Sequence, residues 1–254
     1  MGLQLAQLHL LRGAGNCATS HAQPAAEIRP LSTLSPVPSP VRALLFGVPM
    51  LSEPLPSFDP SAAPAEPFPL FLDWLSEAIH RGVSEPHAMT LATVDREGRP
   101  DLRIVALRDA TADGWVFATD ADSPKSRQLT DCPQAAVGFH WREQGRQIRL
   151  RGPVVRADDV TAAEDFRSRL PGSRAAILVG RQSEPLPDRA LLADAYAEAL
   201  ARVTADPDLT TPAHALFVLR PVSAEFWQGS PGRGHTRLRY TATDAGWTRE
   251  QLWP

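Results

Sequence analysis

The chain predicts a mainly β, α+β fold: an antiparallel barrel with peripheral helices. Three observations carry that expectation. Short strand-like runs follow one another in hairpin order between residues 88 and 120. Strand patterns return at 135–157 and again after residue 214. Helical patterns fall at the margins and do not alternate with the strands, which argues against a doubly wound parallel sheet.

Taken in order, the first folded element is a helix. The run from Pro69 places Leu70, Phe71, Trp74, Leu75, Ala78 and Ile79 at helical spacing, with proline in the first turn and Gly82 past the end. AMTLATV (88–94), DLRIVALRD (101–109) and DGWVFATD (113–120) read as strands, the first two joined by the turn DREGRP. Ser123 caps a short helix with Pro124 at its first position. Strand resumes at 135–141 and 146–157; in the latter Ile148, Leu150 and Val154 share one face while Gln147, Arg149 and Arg151 share the other. Helices are expected over 158–170, near 173–180 and over 189–203. Residues 214–229 and the closing segment from Thr236 return to strand.

The chain of 254 residues is 43% hydrophobic, enough for a real core. A net charge of −3 offers no electrostatic case for nucleic acid or an anionic membrane. No apolar run approaches the roughly 20 residues of a membrane span. Cys17 and Cys132 are too few and too far apart for a disulfide framework, and no Cys/His cluster suggests a metal. The beginning lacks the basic start of a secretory signal, so a cytoplasmic setting is expected. Twelve of the 25 prolines lie in residues 1–70, which sets this part apart from the rest. Residues 1–66 therefore read as a disordered or extended extension, with 55–67 lying as an arm on a folded domain of residues 67–254.

No nucleophile elbow, phosphate-binding P-loop, zinc-protease motif or dinucleotide fingerprint occurs. His80, His87, His140 and His214 read as ordinary surface or strand residues. What remains is a set of cations and amides. Arg103 opens an apolar run, and Ser123 and Lys125 stand at a helix start, where free backbone N–H groups favour an anion. Arg146 and Gln147, then Arg181, Gln182 and Ser183, form two further groups. Arg233, His235 and Arg237 alternate, so an extended backbone would place them on one face. That is either a solvated edge strand or a pocket for a phosphate or carboxylate. The whole set suits a large anionic ligand with an aromatic body.

Five ordered blocks carry a resemblance: EPHAMTLATVDREGRPDLRIV, WVFATDADSPKSRQL, the segment from Trp141 through Arg146, Gln147 and Ile148, GRQSE (180–184), and EFWQG followed by RGHTRLRY. The chain resembles the pyridoxamine/pyridoxine 5'-phosphate oxidase family of FMN enzymes from about residue 70 to the end, including its phenazine-biosynthesis branch. That resemblance implies a split β-barrel and a homodimer with FMN at the subunit interface. It implies that one subunit supplies Arg103, Ile104, Val105, Thr119, Ser123 and Lys125 to the cofactor, and the other Gln147, Gln182, Ser183, Trp227 and Arg237. Arg233 and His235 would be the catalytic pair over the flavin face. Arg108, Arg169 and Ser173 would join them in binding substrate.

The implied reaction passes a hydride from a small heteroaromatic substrate to flavin N5, and dioxygen returns the flavin to its oxidised form with release of hydrogen peroxide. Pyridoxamine or pyridoxine 5'-phosphate is the first expected substrate and a dihydrophenazine the alternative. A deazaflavin-dependent reductase or a non-catalytic flavin-binding barrel are the further rivals. The sequence departs from the family pattern at Ala118, Pro124 and Arg108, and at Asp165, where a tyrosine that helps bind the substrate phosphate would stand. A carboxylate there would repel an anion.

Overall fold

The computed structural model describes residues 44, 45, 51, 54–232 and 234–254. The folded body opens with helix α1 (Pro67–His80), whose buried Leu70, Phe71, Trp74 and Ala78 follow the helical period. Strands β1 (Ala88–Val94), β2 (Pro100–Thr111) and β3 (Gly114–Asp120) form the expected hairpins. Helix α2 (Pro124–Asp131) follows, capped by Ser123, whose Oγ accepts from the Ser126 N–H. Then come β4 (Gln134–Trp141) and the long β5 (Arg146–Arg156). Helices α3 (Asp159–Arg167), α4 (Pro171–Val179) and α5 (Arg189–Ala205) precede β6 (His214–Leu219), β7 (Ser223–Gln228), β8 (Thr236–Thr243) and β9 (Gly246–Leu252).

The sheet runs β4-β1-β2-β3-β6-β5 and closes because β4 also pairs with β5. The result is a six-stranded antiparallel barrel. Strands β7, β8 and β9 continue outward from the first half of β5. Strand β5 is therefore shared: Arg146–Arg151 pair with β7, and Val154–Arg156 pair with β6. Its burial alternates as expected, with Ile148, Leu150 and Val154 inward and Gln147, Arg149 and Arg151 outward.

The expected single strand over 214–229 divides at Pro221. Proline has no N–H for a ladder, and here the chain leaves the barrel for the outer layer. The crossing is close: a Cβ on Gly152 would collide with the Arg220 carbonyl oxygen.

The core fills the barrel with Phe71, Trp74, Met89, Leu91, Trp115, Phe117, Phe139, Ile148, Leu150, Phe226 and Tyr240. Residues 54–66 lie along this body. Phe58 meets Trp74 edge-on at 5.1 Å, and the Tyr240 hydroxyl donates to the Pro64 carbonyl at 2.8 Å. Most of the first 53 residues, to which the disordered reading applied, lie outside the described residues.

Candidate functional site

Two concave surfaces gather the candidate residues. The larger, about 450 Å³, is lined by Asp101 to Ala106 of β2, Ala118 and Thr119 of β3, Pro124 and Lys125 of α2, and Gln182 and Ser183 of the loop after α4. Three stretches of the chain, 101–106, 118–125 and 182–183, meet here.

Their convergence has local causes. Strand β3 ends at Asp120, and the chain turns into the Ser123 cap, so Thr119 and Ser123 come within 3.2 Å through their hydroxyls. Lys125 is 7% exposed. Its ammonium donates to Gln182 Oε1 at 2.6 Å and to Thr119 Oγ1 at 3.0 Å. Burial lowers its pKa, and the like charge of Arg103 adds to the effect. Lys125 is thus a buried cation whose hydrogen-bond partners among the described residues are neutral oxygens, an arrangement that favours an incoming anion.

Arg103 sits beside it, held by Asp101 Oδ2 at 2.5 Å, Thr93 Oγ1 at 2.6 Å and Gln128 Oε1 at 3.2 Å. Leu102 and Ile104 stay 68% and 65% exposed on the outer face of β2, an apolar strip that the barrel itself leaves uncovered.

The loop bearing Gln182 is strained. Gly180 ends α4 at φ 61°, ψ −145°, a region that costs little only for glycine. Arg181 and Ser183 also have positive φ, 56° and 71°. Such conformations cost about 1–3 kcal/mol each and persist where the surroundings impose them.

The second surface, about 220 Å³, is lined by Gln147, Arg149, Glu225, Trp227, Arg237 and Pro254. Strand register creates it, for Gln147 pairs with Trp227 and Trp227 with Arg237, a row across β5, β7 and β8. Arg237 donates to Glu225 Oε1 at 2.9 and 3.0 Å and to the Trp253 carbonyl at 3.0 Å. Arg149 holds the other Glu225 oxygen at 2.6 Å. Burial alone would raise the Glu225 pKa, but hydrogen bonds from Arg237 and Arg149 hold it below its ordinary value.

His235 precedes β8 and lies outside any strand, so it does not share a strand face with Arg237. Glycines at 232 and 234 flank the stretch, and the strand begins only at Thr236. The imidazole instead packs on Trp227, ring centroids 4.8 Å apart, and its Nδ1 accepts from the Ser230 N–H at 3.0 Å. Arg233 lies outside the described residues.

Three further placements differ from expectation. Gln182 and Ser183 were assigned to the opposite subunit from Lys125, yet in a single chain Gln182 hydrogen-bonds Lys125. The reason is α3 and α4, which fold back and return residue 182 to the end of β3. Arg146 belongs to no surface: it is 2% exposed, stacks on Trp74 at 4.2 Å and binds Glu77 at 2.6 Å and Gln228 at 2.9 Å. Asp165 does not stand as an unpaired carboxylate. It accepts from Arg169 Nε at 2.8 Å and Arg108 Nη2 at 3.2 Å, and lies 2.7 Å from His214 Nε2. Ser173, the remaining expected substrate contact, is exposed on α4.

Sequence reasoning missed His214 and Glu225. His214 had no motif to mark it, and only the fold brings it to Asp165. Glu225 stands two residues before Trp227, and that alternation was the available signal.

Comparison with known proteins settles the lineage. Residues 75–202 match the pyridoxamine 5'-phosphate oxidase family model. Residues 215–254 match the pyridoxine 5'-phosphate oxidase C-terminal dimerisation region. The chain belongs to the pyridoxamine 5'-phosphate oxidase family. Within it, the pyridoxine/pyridoxamine 5'-phosphate oxidase of Brucella canis is 38% identical over 200 residues, covering 78% of this chain and 98% of that protein.

The crystal structure of PhzG from Burkholderia lata 383, in complex with tetrahydrophenazine-1-carboxylic acid, is also similar. It superposes with a TM-score of 0.74 at 32% identity, covering 81% of this chain and all of that one. A pyridoxamine 5'-phosphate oxidase-related, FMN-binding protein from Nostoc punctiforme, 22% identical with a TM-score of 0.60 over 77% of this chain and all of its own, shares the fold. The chain is accordingly a split-barrel oxidase of a flavin-using family, and it carries the family's dimerisation region in β6 to β9. Among the described residues, no helix is long and apolar enough to cross a membrane.

Proposed function

We propose that the protein is a homodimeric, FMN-dependent oxidase of a small heteroaromatic substrate. The observation that carries this reading is the division of the site into two open surfaces on one chain, one of them on the dimerisation region. A second copy would bring the row Gln147, Trp227 and Arg237 of one protomer over the pocket of the other. The donor set of the larger pocket fits FMN. Lys125, Thr119 and Arg103 suit the phosphate end, with Ser123 fully buried behind Thr119 and 3.2 Å from its hydroxyl; the backbone and side chains of Ile104 and Val105 suit a flat ring, and Gln182 and Ser183 suit its polar edge. Each hydrogen bond from a cation to the phosphate contributes about 1.5–3 kcal/mol.

Bound FMN, held by Lys125, Thr119 and Arg103, would supply the redox chemistry, a two-electron, two-proton oxidation of the substrate with dioxygen as the final acceptor and hydrogen peroxide as its product. The chain's own residues bind, orient and exclude water. His235 would orient the substrate. Its Nδ1 takes the Ser230 proton contact, so a neutral ring carries its proton on Nε2, free to donate. Arg233 would join it as the second substrate-facing group.

Pyridoxamine or pyridoxine 5'-phosphate, giving pyridoxal 5'-phosphate, is the substrate reading that the 38% identical relatives favour. A dihydrophenazine-type carboxylate is the second reading, favoured by the pairing of Asp165 with the cations a phosphate would need. The purified protein should be a yellow dimer that releases FMN on denaturation and consumes oxygen with one of these substrates. A colourless monomer that does not take up FMN overturns the proposal.

A further inference from the structure

A partly buried ion cluster lies near residues that line the larger pocket. On β2, Ala106 lines that pocket, and Arg108 follows two residues later. Leu107 pairs with Phe117 and Asp109 with Val116, so Arg108 is the extra residue of a β-bulge. Bulges re-aim a side chain, and this one directs Arg108 to Asp165 of α3. His214 pairs with Asp120 on the adjoining strand, one step from the Thr119 pair with Ala215. Arg108 thus stands two residues along β2 from Ala106, and His214 pairs one step from Thr119, both of which line the pocket; Arg108 itself lines another cavity, with Phe68, Leu72 and His87.

Within it, Asp165 Oδ1 is 3.2 Å from Arg108 Nη2, and Asp165 Oδ2 takes Arg169 Nε at 2.8 Å and His214 Nε2 at 2.7 Å. The side chains of Asp165 and Arg169 are each 15% exposed, and that of His214 is 1% exposed. Hydrogen bonds from Arg169 and His214 outweigh burial and keep Asp165 ionised, while burial lowers the His214 pKa and keeps the ring neutral. Two guanidiniums against one carboxylate leave a single positive charge. Arg108, its side chain 35% exposed at the long edge of the cluster, carries the side still open to solvent.

Resting on the oxidase reading, we propose that Asp165 is a specificity-determining residue that acts as a built-in counter-ion. It occupies the guanidinium edges a phosphate dianion would need, and leaves a subsite for a singly charged or neutral polar substituent. His214 is a positioning residue that holds the carboxylate in place.

The test uses the FMN-loaded dimer and two probes, pyridoxal 5'-phosphate and pyridoxal, titrated by equilibrium dialysis. For the native protein the two dissociation constants should agree within about threefold, and Asp165→Asn should tighten pyridoxal 5'-phosphate at least tenfold while leaving pyridoxal unchanged. A native protein that already prefers the phosphorylated probe by tenfold or more overturns the proposal, and needs no variant. An unchanged ratio in Asp165→Asn, or binding of neither probe by either protein, overturns it as well. Flavin content measured on the same samples separates this failure from failure of the oxidase reading: loss of FMN from the native protein would sink the latter alone.

Discussion

The two surfaces of the site treat charge in opposite ways. In the larger pocket Lys125 is withdrawn from solvent and meets only the neutral oxygens of Thr119 and Gln182 among its hydrogen-bond partners. On the outer sheet Arg237 already faces a carboxylate, Glu225, which Arg149 shares. The first surface holds a cation that an anion would complete. The second holds a cation that is already partnered and fixed in direction, although Glu225 is shared with Arg149 and the three side chains stay net positive. The pocket is thus suited to bind, and the sheet row to cover. The geometry differs in the same sense, because three separate stretches make the pocket whereas simple cross-strand register makes the row.

This contrast yields ordered expectations. Lys125→Met should cause the largest loss of FMN retention, roughly 10- to 150-fold for a charge-assisted hydrogen bond worth about 1.5–3 kcal/mol. Dialysis against apoprotein measures it, and full retention would remove Lys125 from the phosphate end. Gly180→Ala tests whether the strained loop forms the pocket. Space for a methyl exists, the nearest atom being Asp120 Oδ2 at 3.7 Å, but φ is +61°. A stability loss of about 1–3 kcal/mol is expected from the backbone alone, read from urea midpoints, with weaker FMN retention alongside. Wild-type stability would show that the loop relaxes freely.

Arg237→Ala should weaken FMN retention by about tenfold, less than Lys125→Met, because Arg237 is already partnered. Equal or larger loss would reverse the ranking of the two surfaces. The smallest effect concerns acid. The Glu225 carboxyl has a folded pKa below its ordinary value of 4.5, so its contribution is present above that value and disappears as pH falls through the lower folded pKa. Glu225→Gln should therefore cost about 0.5–1 kcal/mol at neutral pH, and the difference from the native protein should vanish in acid. Thermal melts at several pH values decide this; a gap that persists below the folded pKa would refute the assignment.

Much of the architecture was legible beforehand because strands and helices are written in local periodicity. The alternation at 146–156, the Ser123 cap with Pro124, and the hairpin at 88–109 each appear where the residue pattern places them. The candidate residues could be named in advance, since the blocks carry them in order. Less legible were contacts between segments. Whether Gln182 serves its own pocket or another copy's depends on how α3 and α4 return the chain, and no short window contains that information. Arg146 falls on the inward face with Ile148 and Leu150 by the period of the strand, unlike Arg149 and Arg151; what no short window contains is the pairing with Trp74, Glu77 and Gln228 that lets a guanidinium sit there.

By itself the sequence determined the barrel class, the order of its elements and the chemical types available to the site, because backbone preference and side-chain period act over a few residues. The tertiary structure alone decided who meets whom: Lys125 with Gln182, Arg237 with Glu225, and Asp165 with Arg108, Arg169 and His214. Electrostatic partnership is a matter of distance and burial, and both are set by the closing of the barrel and the return of the helices across it, over separations that local pattern does not encode.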